Sequence, residues 1–240
     1  MENLFHGGAL DMEHHYFFLN EILVALGLGH FAHEYQHVIH SWLVMIILIL
    51  SAIIFARGIQ LLPRKGQNVF EVIIEGLENF MVEITGPEGK AFFPFIATIF
   101  LYILVSNLMG LIPGFFSPTA NINTTLSMAL CTFVVTHIIG IKFHGVKYIK
   151  HFLGPVWALA PLMLVIELIG HLARVMSLSV RLFGNIFGKE KILGILFALA
   201  GLYLVPLPIL FLGILVSFIQ AVVFMLLAIV YFAGAMEEAH

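Results

Sequence analysis

Long apolar runs alternate with short polar breaks along this chain, and the runs have the length of membrane spans. A bilayer core takes about 17 to 25 helical residues. The segments 37–62, 95–112, 124–141, 157–200 and 209–236 all reach that range. The segment 67–85 has a different pattern. Its Phe70, Ile73, Ile74, Leu77, Met81 and Ile84 share one helical face, while Glu71, Glu75 and Glu78 share the other. The pattern predicts an all-α polytopic membrane protein with about five membrane helices and one amphipathic interfacial helix, in a single membrane domain. Anionic lipid repels an acidic face, so the amphipathic helix is expected to rest on protein or beneath the headgroups. Gly86-Pro87 stops it.

The last two apolar segments are longer than a perpendicular crossing needs. As one helix, 157–200 would extend about 60 Å at 1.5 Å per residue, twice the hydrocarbon thickness. It either breaks near Gly184 or Gly188 or lies steeply tilted, and the preferred expectation is a long tilted hairpin of 157–200 with 209–236. The segment 1–36 is mixed. Its apolar stretch Tyr16–Gly29 is short and interrupted by Asn20 and Glu21, which suits an interface. No basic segment precedes that stretch, so no cleavable signal peptide is expected.

Composition sharpens the class. Apolar residues make up 61% of the chain and charged residues 10%, and no Asp, Glu, Lys or Arg occurs in 91–141 or 192–236. Such a chain is an integral membrane protein. The basic breaks set an expected orientation. Arg57, Arg64 and Lys65 form one basic loop, and Lys142, Lys147 and Lys150 form another. The positive-inside rule puts both in the cytoplasm and the uncharged loop 113–123 opposite. The N-terminus is then outside and the C-terminus cytoplasmic. A formal net charge of −3 argues against a nucleic-acid partner. The single cysteine, Cys131, excludes an internal disulfide framework and is expected to pack as a small apolar residue in a span. His14, His15, His30, His33, His37 and His40 cluster near the start, the last four at helical spacing. That spacing could seat a metal, but no cysteine or carboxylate pair completes a site. An exposed polar face leading into the first span is the expectation, with no metal.

The charged residues within the apolar part carry the chemistry. At 100° per residue, Glu167, His171, Arg174, Arg181 and Asn185 lie within about 40° of one line on a helix, forming a stripe about 27 Å long. Glu167 and Arg174 are expected to pair as a buried ion-pair seam. Arg181 has no carboxylate within four positions, and Glu190 is nine residues on and about 180° round. A guanidinium in a membrane costs about 2.5 kcal/mol or more and cannot shed its proton. Arg181 therefore needs an anionic partner from outside its own helix, either mobile or transported. Gln220 is the one strongly polar residue of its span before Glu237, and Asn107 sits midway along the second span. Both read as interhelical hydrogen-bonding groups or as part of a water path. Lys189-Glu190-Lys191, about 12–15 Å beyond Arg181, reads as an interface marker.

The run Ser177-Leu-Ser-Val-Arg-Leu-Phe-Gly-Asn185, with Glu190 and then Gln220-Ala-Val-Val-Phe-Met, resembles the a-subunit family of the proton-translocating ATP synthase. Ser106-Asn-Leu-Met-Gly-Leu-Ile-Pro113 and Asn123-Thr-Thr-Leu-Ser-Met-Ala-Leu130 add to the resemblance, which covers roughly 65–236. It implies a stator subunit of the membrane sector in a bacterial inner membrane, not catalytic by itself and needing no cofactor. Its implied partners are a ring of c-subunit proteolipids, the b subunit of the peripheral stalk, and lipid. Arg181 matches the essential arginine that faces the ring carboxylates. Asn185, Glu190, Gln220, Glu167 and Asn107 match polar positions along two aqueous half-channels, and His171 and Arg174 lie on the same stripe. Gly213, Gly110 and Lys189 depart from the family, the two glycines standing where some members carry an ionisable residue. A secondary anion carrier or proton-coupled transporter is the alternative class. It would be expected to show internal repeats and broken helix pairs, and no such repeat is found.

Overall fold

The computed structural model describes residues 35–57, 65–112, 114–145, 148, 160–200 and 207–237. These residues form six α-helices: α1 (Gln36–Arg57), α2 (Lys65–Thr85), α3 (Phe93–Met109), α4 (Ile122–His144), α5 (Ala160–Ala200) and α6 (Leu207–Met236). Two short 3-10 turns, Pro87–Phe92 and Pro118–Ala120, join them, and no strand occurs among the described residues. Five segments are long and apolar enough to cross a membrane, and α2 is not among them. The chain is thus an all-α polytopic membrane protein. The stretch 16–29, His14, His15, His30, His33, Arg64, Lys147, Lys150 and the loop 201–206 lie outside the described residues.

Helix α6 is the hub, packing against α2, α3, α4 and α5. Its buried face carries Gly213, Ala221, Ala228 and Ala235 seven or eight positions apart, with Phe224 and Phe232 between them. In a membrane, lipid tails are as apolar as leucine, so helices associate by close packing and polar contacts. Small residues at heptad-like spacing allow that approach. Helix α5 packs on α4, α6 and the Pro118–Ala120 turn. It runs unbroken for 41 residues, through both Gly184 and Gly188.

Helix α1 attaches to α3 and the same turn. Most of its apolar side chains, Trp42, Ile46 and Ile54 among them, are exposed, as lipid-facing groups would be. Tyr102 Oη donates to Ser41 Oγ at 2.9 Å and ties α3 to α1. His40 departs from the expected exposed face. It is fully buried, its Nδ1 is 2.8 Å from the Gln36 carbonyl, and its ring stands edge-on to Phe115 and Phe116. The loop before α4 folds inward and supplies those two rings, which covers the imidazole.

Among the described side chains of α2, those of the second half rest on protein. Met81 is fully buried and Leu77 and Phe80 pack on the core, whereas Ile73 and Ile74 are exposed. Glu78 pairs with Lys90 at 2.6 Å. The helix stops at Thr85 because Gly86 turns with φ +76, a conformation that favours glycine. Cys131 lies in α4 as expected but on its outer face, exposed rather than packed.

Candidate functional site

Four elements bring polar side chains together beside the C-terminal half of α5. Asn107 from α3 is fully buried. Its Nδ2 donates to the Ser217 carbonyl of α6 at 3.4 Å, and its Oδ1 accepts from Thr119 Oγ1 at 2.6 Å. Lys189 Nζ donates to the Asn107 carbonyl at 3.0 Å and to Ser217 Oγ at 3.1 Å. Glu190 Oε1 accepts the Ser117 backbone N–H at 2.8 Å. Ser117 Oγ donates to the Ser106 carbonyl at 2.9 Å. Lys189 and Glu190 therefore turn inward, where the sequence suggested an interface marker. The reason is space. A Cβ on Gly213 would stand 3.4 Å from Lys189 Cδ, and one on Gly110 would stand 2.6 Å from Glu190 Oε1. Gly110 thus leaves the room that the Glu190 carboxylate takes, and Gly213 lies at contact distance from the Lys189 stem.

One turn before Glu190 along α5, Asn185 Nδ2 donates to Gln220 Oε1 of α6 at 2.8 Å. Arg181, a further turn back, is exposed, and its Nη2 reaches Ser177 Oγ at 3.4 Å. Among the described residues no carboxylate pairs with it. Around it on the same exposed face of α5 lie the small or polar residues Ala173, Ser177, Gly184 and Asn185. The two serines off the polar stripe have separate uses: Ser177 contacts the arginine, and Ser179 Oγ lies 3.0 Å from Thr125 Oγ1 of α4.

A second cluster lies on the N-terminal side of Arg181. The expected Glu167–Arg174 pair does not form. Glu167 Oε1 is 3.2 Å from His171 Nε2, four residues on, and the Arg174 guanidinium lies 5.8 Å from the Tyr231 ring centre. Positions four apart are neighbours on a helix, while seven is two turns. His171 and Arg174 line a cavity with Thr132, Thr136 and Tyr231, between α4, α5 and α6. His137 of α4 closes on this group, its ring centre 4.9 Å from that of His171.

Sequence patterning missed Ser117, Thr119, Ser217 and His137 as members of these clusters. Ser217 was open to detection, since it sits three residues before Gln220 on the same face of α6. Ser117 and Thr119 lie in a loop, where no period marks the inward side.

The family model for the ATP synthase A chain matches residues 38–233. ATP synthase subunit a of Desulfosudis oleivorans is 59% identical over 229 residues, covering 95% of this chain and 100% of that protein. Subunit a of Syntrophobacter fumaroxidans is 56% identical, covering 95% and 100%, and that of Geotalea daltonii is 55% identical, covering 93% and 96%. With a family match across most of its length and relatives this similar end to end, the chain belongs to the ATP synthase A chain family.

Proposed function

We propose that this chain is the stator subunit of the membrane sector of a rotary ATP synthase in a bacterial inner membrane. In this reading it supplies two aqueous half-channels to and from the carboxylates of a c-subunit ring, with Arg181 between them. One observation carries it. Along unbroken α5, an exposed guanidinium without a carboxylate partner among the described residues stands between two polar clusters, at Glu167–His171 and at Lys189–Glu190. The small side chains beside Arg181 on that face, Ala173, Ser177 and Gly184, leave room for a partner's acid to approach it.

Charge physics supplies the mechanism. A ring carboxylate facing lipid has to be protonated, because a bare charge there is prohibitive. Opposite Arg181 the ionised form is favoured, since an adjacent cation lowers a carboxyl pKa. The acid therefore gives its proton to one half-channel on reaching the arginine and takes another from the opposite half-channel after the ring steps. The fixed cation also repels protons that would leak directly between the clusters. Asn107, Glu190, Asn185 and Gln220 serve one half-channel, and Glu167, His171 and Arg174 serve the other. The b subunit holds the chain against the ring's torque, and the nucleotide chemistry belongs to other subunits. The basic breaks orient the Glu167 cluster to the cytoplasm. An anion carrier is disfavoured by α5 and α6 being continuous, since such carriers bind substrate at interrupted helices.

Inverted membrane vesicles carrying Arg181→Ala test the proposal. ATP-driven acidification should vanish with the complex still assembled. Arg181→Lys should also fail, because a desolvated ammonium can lose its proton. Normal pumping by Arg181→Ala would refute the assignment.

A further inference from the structure

The end of α4 folds back on itself. Helix α4 closes on Gly145, whose φ of +55 belongs to the left-handed region. The reversal lays the Tyr148 ring directly over Gly140, where any Cβ would collide with the ring's Cε2 and Cζ atoms. From that seat Tyr148 Oη comes within 2.7 Å of His137 Nδ1, one turn further back along α4. Burial, and secondarily the charge of Glu167, push the Tyr148 hydroxyl above its ordinary range, with Arg174 opposing. The hydroxyl thus keeps its proton at neutral pH. Two glycines and a tyrosine hold one imidazole in place.

That imidazole meets a second one. The His137 and His171 rings stand edge to face at 76°, with Phe133 against both, and His171 Nε2 is on Glu167 Oε1. Among the described residues, the titratable and charged groups around the pair are Glu167 and Arg174 of α5, Tyr148 beyond α4, and Tyr231 of α6 across from Arg174. A core packing role for two histidines would call for neither a carboxylate on one nor a half-buried phenol on the other.

We propose that His137 is a proton-transfer residue of the Glu167-side half-channel, acting as a pair with His171, and that Tyr148 is the positioning residue that sets its ring. A proton released by the Glu167 carboxyl is taken by an imidazole of the pair. The resulting imidazolium returns it to Glu167 or passes it to solvent, and each ring ends as it began. Two adjacent imidazolium charges would repel each other, so the pair carries one proton at a time. Histidine suits the task because its charge changes within the physiological range. The inference rests on the half-channel reading above.

The test uses the intact synthase in inverted vesicles, measuring proton pumping and passive proton flux at pH values from about 5 to 8. His137→Gln keeps a polar amide but cannot carry the proton. It should slow flux about a hundredfold, the low side of what a positioned proton carrier contributes, and flatten the pH profile. Gly140→Ala changes no titratable group but unseats Tyr148, so it should shift the pH profile with a smaller loss of flux. If His137→Gln does not assemble, Gly140→Ala and Tyr148→Phe decide the matter by the same profile. Profiles that superimpose on the parent's in every assembled variant would overturn the proposal. With Arg181→Ala inactive in parallel, that result would discard the histidine pair and leave the subunit assignment standing. Retained pumping by Arg181→Ala would instead remove the half-channel reading itself.

Discussion

Lys189 of α5 runs its stem past Gly213 of α6 at contact distance. A Cβ at position 213 would meet the lysine Cδ at 3.4 Å and a Leu111 methyl at 2.6 Å. The lysine head then reaches two oxygens on neighbouring helices, the Asn107 carbonyl and Ser217 Oγ.

Substitutions at these positions should be coupled. Gly213→Ala presses on a movable leucine methyl and should cost little. Gly213→Leu should displace Lys189 and depress ATP-driven pumping several-fold. Lys189→Met removes one donor from a buried polar group, at about 1–3 kcal/mol. It should lower the temperature at which the purified complex loses this subunit. Unchanged thermal behaviour of Lys189→Met would show that the lysine contributes nothing to the packing.

Gly110→Ala should act on Glu190 at a distance from Arg181. The added methyl would lie 2.6 Å from Glu190 Oε1 and 2.7 Å from Ser117 Cβ. Ser117 belongs to a buried loop that cannot easily retreat. The carboxylate should therefore lose its bond to the Ser117 N–H. Passive proton flux through the reconstituted membrane sector should fall several-fold, and wild-type flux would count against a role for this contact.

A double-mutant cycle on Asn185 and Gln220 isolates their 2.8 Å hydrogen bond. Interhelical bonds of this kind contribute about 0.6 kcal/mol on average and up to about 1.7. Asn185→Ala and Gln220→Ala should each loosen α5 from α6, and the double variant should lose less than the sum. Strict additivity in thermal stability would mean that the two amides do not interact.

Glu190→Gln should slow passive proton flux more than Gln220→Glu does. The first removes the one carboxylate in its cluster while keeping the acceptor for Ser117 N–H. The second adds an acid where an amide now accepts from Asn185. Proton flux in vesicles measures both, and equal rates for Glu190→Gln and the parent would remove Glu190 from the path.

Helical periodicity carried most of what was legible before the structure. The spans, the amphipathic α2 and the alignment of Glu167, His171, Arg174, Arg181 and Asn185 all follow from a 3.6-residue repeat. Two readings were overturned, each by geometry that a pattern of charges does not carry. Glu167 was matched to Arg174 because opposite charges attract, although His171, one turn away, is the geometric neighbour. Lys189 was placed at a boundary because a charge run usually marks one, and only tertiary contact shows that its head reaches Asn107 and Ser217. His40 shows the converse: a histidine on a polar face becomes buried when a distant loop closes over it.

The unbroken course of α5 makes it a ruler. From Glu167 through Arg181 to Glu190 the spacing is fixed at about 1.5 Å and 100° per residue, with no hinge at Gly184 or Gly188 to absorb an error. Substitutions along it can be tolerated one at a time, but changes in length cannot. Inserting one residue between Arg181 and Asn185 would swing Asn185, Lys189 and Glu190 about 100° away from Gln220, Asn107 and Ser117 together. The register of this one helix, more than any single side chain, sets which groups share a face with the arginine.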